Sequence, residues 1–374
     1  MRKKGYRCSI SLCWFIALIA ISCNPKKGTD KIGEPLPARY AKGYAISVVK
    51  DGYLLKVTDP AQNISETEYK YTLSRTNEPG CIHIPVKKVI CCSTSHVAFI
   101  DALGKDGSIC AVSGAPYIYN GKLVAKIRNG ALPDIGYGAA LDLEKIITMK
   151  PDVVFAYGVD NNSLQEFRKI QDAGIPVVWI GEYLEPEMLG RTEWLKFFAC
   201  FYDCLHTAGV QFDSIASNYD MIKNNVAGMN MRKPLVLTGL PFQGVWYVPG
   251  ENSFIAAAIR DAGGELLLTN PGRRESKPLS MEEVFAKAGK ADVWINLNNI
   301  SSREAIEKSD SRFCNFVPRH KARIFNNNKR MSAGEGNDFW ESGVVHPDKV
   351  LNDLFCIFHG ENCNSDSLFY YRKL

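Results

Sequence analysis

The sequence predicts an α/β protein with two Rossmann-like lobes, each built on a central, mostly parallel sheet, joined by one long helix. A small β-rich extension precedes the lobes. Short apolar runs alternate with helix-forming segments on both sides of a middle region, which is typical of parallel sheets covered by helices. The middle region, 187–231, has no convincing strand pattern and keeps a helical periodicity almost throughout.

The amino terminus has the pattern of an export signal. Four basic and no acidic side chains lie in the first 22 residues, together with an apolar run that is short for a permanent membrane span. The run ends in AIS directly before Cys23, which resembles the lipobox of bacterial lipoproteins; an ordinary secretory signal or a membrane anchor is the alternative. We predict a signal peptide over 1–22, lipidation of Cys23, a linker over 23–40, and a periplasmic protein of the bacterial cell envelope, lipid-anchored to the membrane.

The charge balance argues against nucleic-acid binding. The 374 residues include 45 Lys+Arg and 40 Asp+Glu, but four of the basic residues belong to the export signal. The 41 that remain almost balance the 40 acids, whereas nucleic-acid-binding domains usually carry a basic surface.

The segment 41–85 predicts the β-rich extension. Its residues 44–58 form two β-rich runs joined by Asp51-Gly52, a dipeptide that favours a tight hairpin. Further strands are expected at 69–73 and 81–86.

The first lobe is predicted over 86–186, the connecting helix over 187–231, and the second lobe over 232–328, with a C-terminal loop and helix over 329–374. Gly209 is the point at which the connecting helix could be interrupted. Strands are expected at 89–93, 108–114, 152–158, 177–183, 234–242, 292–298 and 322–328. Helices are expected near 96–103, 143–150, 163–173, 253–262 and 281–288, with a further one beginning after Ser301.

Two segments of the chain repeat one pattern, which predicts pseudo-symmetric lobes. In each, an N-capping residue starts a helix whose second position is a glutamate, and a strand led by aspartate follows. The first copy contains Asp142 and Glu144, and the second contains Ser280 and Glu282. A carboxylate in the first turn of a helix is stabilised by the helix dipole even without a partner, so the pattern alone does not assign a function.

The usual signatures of catalysis are missing, which favours a binding protein over an enzyme. The sequence has no G-x-S-x-G elbow, no phosphate-binding loop, no H-E-x-x-H zinc motif and no G-x-G-x-x-G after a strand. The histidines and cysteines lack the spacing of a zinc site, so we expect neither a metal site nor a cofactor. Among the cysteines, only Cys356 and Cys363 are considered for a disulfide.

Aromatic and arginine residues follow several predicted strands, and ligands of open α/β sheets bind beyond the carboxyl ends of strands. Aromatic rings supply contact area and guanidinium groups supply permanent charge, so these residues predict a cleft for a large, partly apolar, anionic ligand. The alternative is that the tyrosines are ordinary amphipathic surface residues. The candidate ligand-binding residues are Tyr117, Tyr137, Tyr157, Trp246, Tyr247, Arg273, Arg274 and Trp340.

These features resemble the metal-chelate class of periplasmic substrate-binding proteins, which serve ABC importers of ferric siderophores, haem and vitamin B12. The resemblance extends over about 86–360. Its motifs are LEKI and KPDVV from Leu143, GRTEW from Gly190, VWYVPG from Val245 and ADVW from Ala291. The extension and the Arg273-Arg274 loop do not belong to the shared core of that class.

The resemblance implies a role for the repeated glutamates. In that class one glutamate of each lobe docks into arginine pockets of the membrane permease, and the matching positions here are Glu144 and Glu282. It also implies lobes that move little on ligand binding.

For the ligand, Arg273 and Arg274 favour an anionic chelate. We therefore expect an iron(III)-siderophore, captured between the lobes and delivered to the permease dimer of an ABC importer by a monomeric protein. Vitamin B12 (cobalamin) is the alternative, because Tyr157, Trp246 and Trp340 could sandwich a corrin ring. An exported hydrolase, or an adhesin that uses the extension as its module, is the second alternative.

Overall fold

The computed structural model describes residues 33–58, 68–138, 140–158, 161–310, 312–313, 323–360 and 365–374, without the side chains of 161–164 and 365. The predicted signal peptide, Cys23 and Cys363 lie outside the described residues. In the part of the chain that is described, none of the helices combines the length and the hydropathy that a membrane span needs.

The described strands and helices follow the predicted alternation closely. The strands are β1 (Glu34–Leu36), β2 (Tyr44–Val49), β3 (Gly52–Thr58), β4 (Glu68–Ser74), β5 (Ile82–His83), β6 (Val89–Cys91), β7 (Ile109–Val112), β8 (Val153–Ala156), β9 (Val177–Trp179), β10 (Leu235–Thr238), β11 (Val245–Val248), β12 (Glu265–Leu266), β13 (Lys277–Ser280), β14 (Val293–Ile295), β15 (Arg323–Asn326) and β16 (Arg372–Lys373). The helices are α1 (Thr94–Ala102), α2 (Gly121–Arg128), α3 (Leu143–Met149), α4 (Asn161–Asp172), α5 (Met188–Phe201), α6 (Leu205–Ala227), α7 (Phe254–Asp261), α8 (Met281–Ala288), α9 (Arg303–Ser309) and α10 (Pro347–His359).

The extension forms a sheet in the order β1-β2-β3-β4-β5, antiparallel except between β4 and β5. Its first strand lies inside the segment predicted as linker. The hairpin expected at Asp51-Gly52 joins β2 and β3, and a Cβ atom at Gly52 would lie 1.9 Å from the carbonyl oxygen of Leu73, so this close approach requires glycine.

The extension is tied into the rest of the molecule by apolar packing and by two carboxylates. Tyr44 packs edge-to-face against Trp194 of α5, with ring centroids 5.0 Å apart. The buried carboxylate of Glu193 accepts hydrogen bonds from the backbone N–H groups of residues 39–41, and Glu185 accepts from those of residues 42 and 43. The extension therefore shares one core with the first lobe and is not a separate module.

The first lobe contains a parallel sheet in the order β7-β6-β8-β9. Its strands are almost entirely buried because helices cover both faces, as their continuous apolar runs predict. The sequence analysis missed α2, whose amino terminus is capped by the Asn120 side chain.

The second lobe contains a sheet in the order β12-β10-β14-β15-β16, parallel except for β16. Beside it, β11 and β13 form a two-stranded antiparallel sheet that the sequence analysis did not predict. The predicted architecture of two α/β lobes with mostly parallel sheets is thus confirmed.

The prediction of one long connecting helix is wrong. The helical segment is broken at residues 202–204, where Asp203 has a left-handed backbone with φ 52°. Helices α5 and α6 fold back on each other, so that the Lys196 ammonium lies 4.4 Å from the centroid of the Phe212 ring. Gly209, the expected point of interruption, lies inside the regular helix α6.

Both helices of this hairpin cross between the lobes. In α5, Met188 belongs to the apolar core of the second lobe, whereas Phe198 belongs to that of the first. In α6, Ala208 packs in the core of the first lobe and Phe212 in that of the second. That the lobes move little on ligand binding stays a prediction.

Candidate functional site

The carboxyl ends of the parallel strands of both lobes face one cleft. Loops after β6, β7 and β8 form one wall, and loops after β14 and β15 form the other, around a cavity of about 270 Å³. This is the position at which open α/β sheets bind ligands. We call this cavity the aromatic cleft, because its lining includes Tyr117, Tyr137, Tyr157 and Trp340.

The tyrosine wall of the aromatic cleft belongs to the first lobe. Tyr117 and Tyr137 are 46% and 57% exposed, with ring centroids 5.7 Å apart. A Cβ atom at Gly114, which has a φ of 71°, would lie 3.0 Å from both rings, so glycine lets the two tyrosines pack together. The carboxylate of Asp134 accepts hydrogen bonds from the backbone N–H groups of residues 114, 115 and 136 and thereby joins the two tyrosine loops.

The third tyrosine lies deeper in this wall. Burial and the neighbouring Tyr137 hydroxyl raise the pKa of Tyr157, so its phenol stays neutral at physiological pH. Next to it lies His96, which is fully buried, with ring centroids 6.5 Å apart. Burial lowers the pKa of His96 to about 4, so this side chain is also neutral. Tyr157 and His96 therefore carry no charge at physiological pH.

The opposite wall belongs to the second lobe and combines an aromatic ring with carboxamides. Trp340 is 48% exposed and packs edge-to-face against Phe339, with ring centroids 4.8 Å apart. Asn299 and Asn337 line the aromatic cleft beside it. Asn299 and Trp340 also line an adjoining cavity of about 210 Å³, which we call the amide recess and whose remaining lining residues are Asn296, Asn298 and Asn327.

Among the described residues that line the aromatic cleft and the amide recess, Glu335 alone is charged, and it is an acid. Arg273 and Arg274 are exposed and line neither cavity. The expectation that both arginines face the same cleft as the tyrosines is therefore wrong. The loop that carries them approaches Gly250, where a Cβ atom would lie 2.3 Å from the carbonyl oxygen of Arg274.

Trp246 is a further correction, because it is fully buried in the second lobe. Its indole N–H donates to the carbonyl oxygen of Thr238 at 2.9 Å, and its ring stacks on Trp294 with centroids 6.0 Å apart. Tyr247, the next residue of β11, points to the other face of the strand and is half exposed. Tyr247 lines neither the aromatic cleft nor the amide recess. Its strand, β11, pairs with β13 and does not belong to the parallel sheet whose strand ends form these cavities.

A second cavity, of about 610 Å³, lies where the extension meets both lobes. Lys42 of the extension, Tyr183 of the first lobe and Arg274 of the second lobe line it, together with the acidic Glu185 and Glu275. Tyr183 also packs edge-to-face on Tyr157, with ring centroids 6.4 Å apart, so these two rings stand between this cavity and the aromatic cleft. Arg274 is thus placed for an anionic group, but outside the aromatic cleft.

The loop that carries Trp340 is held against the first lobe. The carboxylate of Glu341 accepts hydrogen bonds from the backbone N–H groups of Tyr119 and Asn120 at 2.7 and 2.8 Å. A Cβ atom at Gly336 would lie 2.3 Å from the carbonyl oxygen of Ile118, so the backbones of the two lobes approach closely. Burial raises the pKa of Glu341 to about 7, against the effect of these two donors.

The two glutamates of the repeated pattern occupy equivalent positions on the two lobes. Glu144 follows the N-cap Asp142 in α3, and Glu282 follows the N-cap Ser280 in α8, each in the first helical turn. Both side chains are exposed, and that of Glu282 is 81% exposed. Their geometry agrees with a docking role, which stays a prediction.

The cysteines and histidines form no metal-binding group within the described residues. The cysteines free of disulfides there are Cys81, Cys91, Cys92, Cys110, Cys200 and Cys204. Cys356 is disulfide-bonded, whereas Cys363, with which it was considered to pair, lies outside the described residues.

The fold and the site define a class of protein, a two-lobed solute-binding protein with its ligand cleft between the lobes. Residues 89–315 match the periplasmic binding protein family, and the chain belongs to that family. An uncharacterized lipoprotein of Methanocaldococcus jannaschii is 28% identical over 300 residues, which cover 78% of this chain and 70% of that relative.

Solved structures show the same fold at low sequence identity. An ABC transporter substrate-binding protein from Listeria monocytogenes is 17% identical, with a TM-score of 0.53 over 73% of this chain and 99% of that chain. A periplasmic heme binding protein from Pseudomonas aeruginosa is 16% identical, with a TM-score of 0.57 over 77% and 98%.

Proposed function

We propose that this chain is the substrate-binding component of an ABC importer and that it captures a planar metal chelate of low negative charge, a corrinoid such as cobalamin. The observation that carries the proposal is the aromatic cleft, with tyrosines on one wall, Trp340 on the other and no cationic side chain among the described lining residues. The sequence had favoured an anionic siderophore because the arginines were expected in this cleft.

The chemistry of the cleft walls supports a ligand of low charge. An anion that leaves water for a site without a cation regains only part of its lost hydration, from the hydroxyl and carboxamide donors of the lining. Glu335 would repel it further. The faces of aromatic rings, in contrast, provide large apolar contact areas for a flat macrocycle.

Haem shares this flat shape, and the Pseudomonas aeruginosa neighbour is a heme binding protein by its title. The two propionates of haem, however, would find no basic partner among the described lining residues of the aromatic cleft. Haem is therefore a weaker proposal than a corrinoid.

A ferric siderophore is the second candidate, and the larger cavity favours it. Lys42 and Arg274 line that cavity and could bind the charged periphery of an anionic chelate. This candidate places the ligand beside the extension and away from Trp340.

For delivery, we propose that Glu144 and Glu282 dock on the permease and that Cys23 anchors the protein to the cell envelope. Glu144→Ala and Glu282→Ala should leave ligand affinity unchanged but reduce uptake of labelled ligand by cells that carry the importer, at least tenfold for the double variant. The matched control is Glu304→Ala, because Glu304 is also an exposed glutamate at the second position of a helix, α9. Normal uptake by the double variant would contradict this docking.

The ligand is tested by equilibrium dialysis of the chain from Asn24 onward against cyanocobalamin, dicyanocobinamide, haem and ferric catecholate and hydroxamate siderophores. Dialysis avoids the light absorption of these chelates, which disturbs fluorescence titrations. Saturable binding of the two corrinoids at micromolar concentration or below, with weaker binding of the siderophores, is the expected result. Saturation by a siderophore alone would transfer the assignment to the larger cavity.

A further inference from the structure

The amide recess lies where two neighbouring parallel strands end. Asn296, Asn298 and Asn299 follow β14, and Asn327 follows β15, the strand beside it. The recess adjoins the aromatic cleft, because Asn299 and Trp340 line both. A ligand against Trp340 could therefore extend an arm into it.

Several amides of this region hold the loops in place. The Oδ1 atom of Asn326 accepts from the backbone N–H groups of Leu297 and Asn327, and its Nδ2 atom donates to the carbonyl oxygens of Asn298 and Ile300. Asn328 donates its Nδ2 to Ile300 and accepts from Arg372 Nε. Asn296 Oδ1 accepts from the Tyr371 hydroxyl at 2.9 Å.

Asn327 is different from these structural amides. The residue lines the recess and is 2% exposed, and its buried Nδ2 atom has no hydrogen-bond partner. A buried donor without a partner destabilises the folded state, so such a group is rare in a folded protein unless something else satisfies it. Asn298 and Asn299, at the rim of the recess, are exposed and add further donors and acceptors.

We propose that the amide recess is a hydrogen-bonding subsite for a carboxamide arm of the bound chelate, with Asn327 Nδ2 donating to the carbonyl oxygen of that arm. The inference rests on the proposed function. A carboxamide fits better than a carboxylate, because the lining residues of the recess are uncharged and a carboxylate would lose its hydration without gaining a cation. A carboxamide also offers N–H groups to the side-chain oxygens at the rim.

The test compares two corrinoid probes by equilibrium dialysis. Dicyanocobinamide carries amides around the ring, whereas dicyanocobyrinic acid carries carboxylic acids at those positions. The unchanged protein should bind the amide probe at least tenfold more tightly. Asn327→Leu, which is similar in size but cannot donate, should weaken binding of the amide probe about tenfold.

Two further variants separate this effect from a loss of folding. Asn327→Asp keeps the shape, and its carboxylate should weaken binding of the acid probe more than that of the amide probe. Asn225→Leu, an exposed position on α6 away from the cleft, is the matched control and should bind both probes like the unchanged protein. Thermal unfolding of each variant shows whether it is folded.

The outcomes distinguish the subsite from the proposed function. If the unchanged protein binds neither probe, the corrinoid assignment fails, and the carboxamide assignment fails with it. The unchanged protein could instead bind the amide probe while a folded variant, Asn327→Leu or Asn327→Asp, keeps both affinities unchanged. That result would refute the subsite alone, because the Asn327 donor would then not bind the ligand.

Discussion

The two walls of the aromatic cleft are built in different ways. The wall of the first lobe consists of tyrosine rings, placed by the small residue Gly114 and by the hydrogen bonds that Asp134 accepts. The wall of the second lobe consists of carboxamides and Trp340, held by a hydrogen-bond network at the ends of β14 and β15. The first wall offers contact area and the second adds directional hydrogen bonds, so for the proposed ligand we expect the first wall to contribute affinity and the second selectivity.

The largest effect on stability is expected beneath the wall of the second lobe. Trp246→Ala should lower the free energy of unfolding by about 3–5 kcal/mol, because it removes a fully buried ring that packs on Trp294 behind this wall. Trp340→Ala should lower it by only about 1 kcal/mol, because that ring is half exposed and loses mainly its edge-to-face contact with Phe339. Urea unfolding of both variants measures the difference. Equal decreases in the free energy of unfolding would contradict the assignment of Trp246 to the core and of Trp340 to the cleft surface.

A smaller effect is expected where the two walls are joined by Glu341. Its pKa is raised by burial from its ordinary value of 4.5 to about 7, so the folded state binds this proton more tightly than the unfolded state. The resulting contribution to stability is complete below about pH 4.5 and is lost as the pH rises through about 7, with a total of roughly 3 kcal/mol.

Glu341→Gln should therefore remove this loss between pH 4.5 and 7. Its amide oxygen can accept from only one of the two backbone donors, Tyr119 or Asn120, so a constant loss of stability is expected at every pH. The measurement is the free energy of unfolding as a function of pH for the variant and the unchanged protein. The difference between the two curves isolates Glu341 from other titrating groups. A difference that does not vary with pH would contradict the raised pKa.

The smallest effect is expected at Gly114 in the wall of the first lobe. Gly114→Ala should cost about 1 kcal/mol of stability, because alanine is strained at a φ of 71°. The added methyl would also press on Tyr117 and Tyr137, so corrinoid binding should weaken a few-fold. Gly138→Ala is the control, since Gly138 also has a positive φ but has no atom near its added Cβ. Equal binding by both variants would mean that the spacing of the two rings does not matter.

The parts of the site that could be predicted from the sequence follow simple rules. Ligand sites of open α/β sheets lie beyond the carboxyl ends of the strands, which correctly places Tyr157 of the first lobe and Trp340 of the second beside the cleft between the two sheets. Trp246 was misplaced because side chains alternate along β11, and the sequence does not show which face of that strand meets the core. The asparagines of the amide recess were missed because runs of asparagine are also typical of turns.

The break between α5 and α6 could not be predicted from local signals either. Asp203 adopts the left-handed backbone that glycine usually supplies, and no glycine or proline lies at the break. Packing of the two helices on each other and on both lobes determines the hairpin. Tertiary contacts therefore decide where this helical segment ends, against a continuous helical pattern.

The most direct test of the central claim compares Trp340 with Arg274, one residue from each of the two competing cavities. Binding of cyanocobalamin to Trp340→Ala and to Arg274→Ala is measured by isothermal titration calorimetry. If the ligand lies in the aromatic cleft, Trp340→Ala should weaken binding at least tenfold and Arg274→Ala less than twofold. The reverse result, or no binding of cyanocobalamin to the unchanged protein, would contradict the assignment of a low-charge chelate to the aromatic cleft.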